Sequence, residues 1–228
     1  MKVRLVLTLA AALVGMVSLA GASATGVTCR TGPGCLNGTD HYGWTAQLGP
    51  SFTPIPNGSS VTSVGGVEIN HVLFDAGGNG ERLDQGNGWN GNFSPGDELI
   101  WTNSPGQGPL TFDFTTPVSG FGAQIQADFL GAFTAQVCDQ NGNCFTENGN
   151  STGAGDGSAI FIGLANDPGI TSAIFSLTSC VNDCADFAIN QMDITTGSTP
   201  VIPEPSSMVL LGTGLIGLAG AARRRFGK

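Results

Sequence analysis

The chain has 228 residues, of which 17 are acidic and 8 are Lys or Arg, so its formal net charge is −9 and its pI is about 4.3. Residues 25–202 are more acidic still, because sixteen Asp and Glu stand against only Arg30 and Arg82, a net charge of −14. This charge argues against a nucleic-acid partner and against anionic lipid surfaces, whereas cations and neutral partners such as glycans are tolerated.

Residues 1–24 have the three parts of a secretory signal peptide. Two basic residues near the start precede an apolar run over residues 5–19, and Ala22 and Ala24 fit the small-x-small cleavage pattern. Cleavage after Ala24 would make Thr25 the first residue of the exported protein. We therefore leave this segment out of the fold prediction.

Residues 25–195 have the pattern of one all-β domain. Short runs rich in Val, Ile, Phe and Thr are separated by Gly, Asn and Ser, and no amphipathic pattern of helix length occurs. Residues 110–114 and 121–127 alternate between apolar and polar side chains, as half-buried strands do. The pattern predicts a β-sandwich of the jelly-roll or lectin-like type, followed by a Gly/Ser/Thr/Pro linker over residues 196–202.

Three segments are predicted to interrupt the strands. Residues 77–92 are polar and rich in glycine, which predicts a long surface loop. Residues 117–120 and residues 166–169 contain Pro and Gly and are predicted to be turns.

Six cysteines, all in the exported part, form three groups of near neighbours. An even count in an exported chain predicts disulfides, and although fifteen connectivities are possible, the grouping favours three local loops. A metal site is less favoured, because there is no CxxC motif and the two histidines are distant in sequence. The predicted pairs are Cys29 with Cys35, Cys138 with Cys144, and Cys180 with Cys184.

Loop geometry supports two of these pairs. A three-residue hairpin loop over residues 140–142 would place Cys138 directly opposite Cys144, with Gly142 in the left-handed position that such a loop requires. Opposed residues of two antiparallel strands are within the Cα separation of a disulfide. The same count predicts that Cys180 lies opposite Cys184.

The C-terminal residues 203–228 contain an uncharged apolar run over residues 208–222. With the two preceding serines the run has 17 residues, the lower limit for a helix that crosses a bilayer. The arginines directly after it fit the positive-inside rule, so a single transmembrane helix is predicted over about residues 206–222. The residues that frame the run are Pro203, Glu204 and Pro205 before it, and Arg223, Arg224 and Arg225 after it.

This order of parts resembles the PEP-CTERM sorting signal of bacterial exported proteins. The resemblance covers about the last 26 residues and implies export, transient anchoring in the membrane, and recognition by an exosortase, a membrane protease or transpeptidase that cuts near the motif. Residues 118–195 also resemble, more loosely, the β-sandwich ectodomains common among such proteins. The resemblance associates the protein with extracellular polysaccharide and the biofilm matrix.

The sequence contains no motif of a known catalytic site, so no catalytic residue is predicted and a non-enzymatic protein is expected. Carboxylate pairs such as Asp97 with Glu98 could serve glycoside hydrolysis. Acidic residues are so frequent, however, that such a pair carries almost no information. A hydrolase therefore ranks behind a carbohydrate-binding module as the alternative function.

One aromatic residue is a candidate glycan contact. Trp89 lies among glycines and amides, with Asn87 and Asn90 near it, and a sugar ring could stack on the indole while the amides supply hydrogen bonds. The alternative, which we rank somewhat ahead, is that Trp89 folds back and pins its own loop.

No cofactor or metal ligand set is predicted, although a calcium site is allowed as a minor alternative. The segment that starts at Asp139 is similar to the start of a calcium loop, but Cys144 and Asn150 stand where a glycine and a bidentate acid are needed. The hairpin interpretation is therefore preferred. The acids considered for a different kind of calcium site are Asp75, Asp84, Asp156 and Asp167.

Overall fold

The computed structural model describes residues 24–29, 36–103 and 108–197. Most of the predicted signal peptide lies outside these ranges, as do Cys35, so that the predicted Cys29–Cys35 bond is not described, and residues 203–228 with the predicted transmembrane helix. One short helix, α1, spans Thr45–Leu48, and a 3-10 turn spans Asp75–Gly77. The strands are β1 Thr25–Cys29, β2 Asp40–Tyr42, β3 Thr53–Ile55, β4 Ser59–Thr62, β5 Glu68–Leu73, β6 Gly80–Gln85, β7 Gly88–Trp89, β8 Glu98–Trp101, β9 Leu110–Ala127, β10 Gly131–Cys138, β11 Cys144–Ser151, β12 Ile160–Cys180, β13 Phe187–Ile189 and β14 Met192–Thr195.

Two long antiparallel strands, β9 with 18 residues and β12 with 21, organise the domain. Residues 110–113 of β9 pair with residues 172–175 of β12, and this first sheet continues through β5 to β4 on one side and through β10 to β11 on the other. Residues 120–125 of β9 pair with residues 160–165 of β12 in a second sheet. The second sheet extends to β1 on one side and to β13, β8, β6 and β3 on the other.

The predicted turns at residues 117–120 and 166–169 are wrong, because both strands run through these segments. The register between β9 and β12 shifts between Ala165 and Ile170, and Asn166 has a φ of 67°. A bulge of this kind uses the same Gly, Asn and Pro residues as a turn. These residues therefore bend the two strands from one sheet into the other instead of reversing the chain.

The main core lies between the two sheets. Phe121 of the second sheet contacts Phe175 of the first at a ring-centroid distance of 5.6 Å, and Phe112 meets Phe175 edge to face at 6.1 Å. Trp44 is completely buried, stacks on Phe112 and donates its indole N–H to the carbonyl of Asn190. Apolar burial between two layers is the main source of stability in such a fold. The all-β prediction is confirmed.

A second, smaller core lies on the outer face of the second sheet. Leu83, Leu99 and Ala188 point away from the main core and are covered by Trp89 and Phe93. The predicted surface loop over residues 77–92 is therefore wrong, since it contains β6, β7 and side chains of this cluster. The glycines of this segment form tight turns between single apolar residues. The segment is therefore polar in composition, although its apolar side chains are buried in the smaller core.

Two of the three predicted disulfides lie in the described ranges, and both are confirmed. Cys138 lies opposite Cys144 with a Cα separation of 4.1 Å, and Gly142 has a φ of 79°, as the three-residue hairpin requires. Cys180 and Cys184 are also bonded, with a Cα separation of 5.4 Å. The predicted hairpin at this second pair is wrong, however, because β12 ends at Cys180, Cys184 lies in no strand, and the next strand, β13, pairs with β8 and β9.

Candidate functional site

The outer side of β10, β11 and β12 is a polar face. Alternate residues of β10, such as Phe133 and Val137, are buried in the main core, so the residues between them point outward. Their partners in register are also polar. The resulting polar face consists of Thr134, Gln136, Thr146, Asn148, Ser176 and Ser179.

Three side chains at one end of the polar face are joined by hydrogen bonds. The hydroxyl of Ser179 donates to Oγ1 of Thr134 at 2.9 Å, and the hydroxyl of Thr134 donates to Oδ1 of Asn148 at 2.9 Å. Because the three residues lie on three adjacent strands, the sheet fixes their separation. This arrangement presents hydroxyl and amide groups to solvent in a defined order.

A pocket of about 230 Å³ lies at these three side chains. None of its lining residues is charged. The lining consists of Ala132, Phe133, Thr134, Asn148, Gly149, Ser179, Cys180 and Val181.

An exposed apolar edge borders the pocket. Val181 is 72% exposed, and Phe129 and Leu130, in the turn between β9 and β10, are 47% and 58% exposed. The Val181 N–H donates to the carbonyl of Ala132 at 2.9 Å, and the amide of Asn182 donates to the carbonyl of Leu130. With the Cys180–Cys184 disulfide, these bonds fix the apolar edge against β10.

The prediction that Trp89 contacts a glycan is wrong, because the side chain is buried. Trp89 is only 4% exposed, and its ring packs against Phe93 and Trp101 at 6.3 and 6.4 Å, so no face is open for a sugar ring. Asn87 and Asn90 are exposed on either side of it. The alternative interpretation, in which Trp89 pins its own loop, describes the structure.

Buried amides hold the loops over the smaller core. Oδ1 of Asn92 accepts hydrogen bonds from the backbone N–H groups of Thr152 and Gly153 and from the side-chain amide of Gln126. Gln85 forms two hydrogen bonds with the backbone of Gly91, each at 3.0 Å. These amides are satisfied within the protein, so they serve the fold and leave little capacity for a ligand.

The carboxylates act as internal acceptors. Glu98 accepts the backbone N–H groups of Trp44 and Thr45 at 2.6 and 2.8 Å, and Asp84 forms an ion pair with the buried Arg82 at 2.6 Å. Burial alone would raise the pKa of Glu98, but the hydrogen bonds from Thr45 and Trp44 and the charge of Arg82 outweigh it and lower that pKa. This cluster ties α1 to β6 and β8.

Three of the four acids considered for calcium have separate roles in the fold. Asp84 is engaged by Arg82, Asp156 accepts the N–H of Ser158 at 3.0 Å, and Asp167 accepts the N–H of Gly169 at 2.9 Å. Across the three described ranges, no group of three or more His, Cys, Asp or Glu side chains is placed to hold a metal ion. The structure thus does not bring these acids together in a calcium site.

The residues around the pocket were missed from sequence. Thr146 and Asn148 in β11 are spaced by two, which is the signal of a polar strand face, as are Thr134 and Gln136 in β10. What the sequence does not show is that Ser179, more than 30 residues further on, completes the set.

The comparisons with known proteins bear first on the C-terminus. Residues 201–225 match the family described as the PEP-CTERM protein-sorting motif. The chain carries a PEP-CTERM sorting motif. The motif marks the protein for export, for processing by an exosortase and for sorting to the cell surface, as the resemblance had implied.

The PEP-CTERM segment itself lies outside the described residues. Within those residues, no helix is long and apolar enough to span a membrane. The predicted cleavage site at Ala22 and Ala24 and the helix over residues 206–222 therefore remain predictions.

The other comparisons are less informative. No curated protein sequence matches the chain. The chain is similar to a solved structure, CsCBM6-3 from Clostridium stercorarium in complex with cellobiose, with a TM-score of 0.31 and 14% identity over 64% of this chain and 95% of that chain. At this distance the likeness does not bear on function, and the strand pairing described above is what defines the fold.

Proposed function

We propose that this protein is a non-enzymatic component of the cell surface or extracellular matrix, retained there in association with exopolysaccharide. The observation that carries the proposal is the PEP-CTERM motif over residues 201–225, which supplies the route to the surface. The strongly acidic ectodomain is compatible with a hydrated polysaccharide matrix, because its net charge of −14 opposes binding to nucleic acid and to anionic lipid.

A non-enzymatic role is supported by the use of polar groups within the fold. The carboxylates of Glu98 and Asp84 and the amides of Gln85 and Asn92 are engaged in hydrogen bonds or an ion pair that hold loops and the short helix in place. A glycan hydrolase would need two carboxyl groups facing a cleft. Incubation with neutral polysaccharides should release no reducing ends, and a release that is lost in a single Asp or Glu variant would establish a hydrolase.

Sorting is tested by the intact mass and location of the mature protein in cells with and without the exosortase. With the enzyme, we expect a released form that starts at Thr25 and ends near Pro203. Its mass should be lower by four hydrogens for the two disulfides described, and by six if Cys29 and Cys35 are also bonded. Replacing Glu204 by Ala should cause accumulation of the unprocessed form, whereas Glu68→Ala, an exposed change in the ectodomain, should not.

Two results would contradict the proposal. A full-length membrane form that is the same with and without the enzyme would make the C-terminus an ordinary anchor. A processed protein that washes freely from intact cells and does not co-fractionate with their polysaccharide would separate sorting from matrix association.

A further inference from the structure

The pocket beside Thr134 differs in charge from the rest of the domain. None of the eight residues that line it is charged, although residues 25–202 carry a net charge of −14. An anionic polymer would be repelled by the surrounding field, and a cation would find no carboxylate in the pocket. The charge distribution therefore favours an uncharged ligand.

The polar groups of the pocket fit a ligand that is rich in hydroxyls. Thr134, Asn148 and Ser179 form one hydrogen-bonded row across three strands, with links of 2.9 Å. Asn148 and Ser179 are exposed, so the amide N–H groups of Asn148 can donate to a ligand and the hydroxyl oxygen of Ser179 can accept from it. A sugar, whose hydroxyls do both, matches such a row better than a purely accepting or purely donating ligand.

The apolar edge supplies the second requirement of a sugar site. The C–H face of a sugar ring packs against apolar or aromatic side chains, and Val181, which lines the pocket, is 72% exposed beside the row. The Cys180–Cys184 disulfide and the Val181–Ala132 backbone hydrogen bond hold this edge in position before any ligand arrives. A preformed edge lowers the entropic cost of binding.

We propose that this pocket binds a segment of a neutral polysaccharide. Asn148 and Ser179 exchange hydrogen bonds with sugar hydroxyls, Thr134 orients both side chains, and Val181 contacts the ring. Gln136 and Thr146 extend the polar face by two residues, about 7 Å along the strands, which gives room for a neighbouring sugar. The inference rests on the proposed association with exopolysaccharide and names the ligand class and the site.

The test uses the exported protein and soluble neutral polysaccharides, namely hydroxyethyl cellulose, xylan, mannan and dextran, with polygalacturonate as the anionic comparison. Affinity electrophoresis should show binding to at least one neutral polymer and none to polygalacturonate. Asn148→Leu and Val181→Asp should each weaken that binding at least tenfold, and both positions are exposed, so the fold should be kept. Thr39→Val is the matched control, since Thr39 is an exposed threonine bonded to another hydroxyl, that of Thr196, and is not among the residues lining the pocket.

The outcomes separate the inference from the proposed function. Neutral-polymer binding that is unchanged in both variants would place the site elsewhere and overturn the inference, while leaving matrix association intact. Binding to none of the four neutral polymers, or tighter binding to polygalacturonate, would overturn it as well. The proposed function fails in a different experiment. If it is wrong, the protein will be absent from the polysaccharide fraction of intact cells, whatever the purified protein binds.

Discussion

At the scale of single residues, Arg82 shows how an acidic domain uses a rare cation. It is the one Lys or Arg within the described ranges, it is 1% exposed, and it contacts Asp84, Thr45 and the carbonyl of Leu83. A buried charge is stable only when it is paired and hydrogen-bonded. Composition alone would place this arginine on the surface.

The contribution of the Glu98 carboxylate to stability should depend on pH. Because its pKa is lowered in the fold, its contribution to stability is present above the ordinary pKa and is lost as the pH falls through the folded value. Glu98→Gln should lower the free energy of unfolding at pH 7 by about 1 kcal/mol, a modest loss because the carboxylate is partly exposed and screened.

Urea unfolding at several pH values measures this effect. The difference between wild type and Glu98→Gln should shrink as the pH is lowered into the acid range, while the exposed control Glu68→Gln should match wild type throughout. A difference that stays constant at acid pH would show that the carboxylate charge plays no part.

At the scale of elements, the sequence allowed prediction of features set by local geometry. The Cys138–Cys144 hairpin follows from loop length and one left-handed glycine, and alternation identified the strands of the core. The bends at residues 117–120 and 166–169 could not be told from turns, because bulges and turns require the same residue types. The pocket was missed for a related reason, since Thr134 and Ser179 meet only through long-range register.

The centre of the second sheet offers a sharp element-scale test. Gly163 of β12 lies opposite Gly122 of β9, and a Cβ on Gly163 would lie 2.3 Å from the carbonyl oxygen of Phe121. Since that atom belongs to the backbone, Gly163→Ala should destabilise the protein by about 1–3 kcal/mol through overpacking.

Thermal unfolding checks this expectation, with Gly43→Ala as the matched control. A Cβ on Gly43 would meet only a carboxylate oxygen of Glu98 at 3.7 Å. The melting temperature of the Gly43→Ala variant should therefore be nearly that of wild type. Equal melting temperatures for the two variants would contradict the close packing of β9 on β12.

At the scale of the whole molecule, β9 and β12 belong to both sheets, so neither sheet is a separate unit. Trp44 reports on the main core and Trp89 on the smaller one, whereas far-UV circular dichroism reports on all strands. We expect tryptophan fluorescence and circular dichroism to give the same midpoint in urea, as in a two-state transition.

The competing outcome is a fluorescence change at lower urea concentration than the loss of strand signal. It would mean that the smaller core around Trp89 opens first, and that the loops held by Asn92 form an independent unit. A Trp89→Phe variant would then reduce the amplitude of the early phase, with Trp101 as the remaining reporter of the smaller core, and keep the late phase.

The pairing of β1 with β12 has a consequence for the order of events during translocation. Thr25 pairs with Ala165 and Thr28 with Ile162, so the first strand to leave the cytoplasm finds its partner only after about 130 further residues have emerged. Until then the emerging segment has an unpaired edge and is vulnerable to proteases and to aggregation. This part of the second sheet can therefore finish folding only after residues 160–165 have emerged, shortly before the sorting motif over residues 201–225 does.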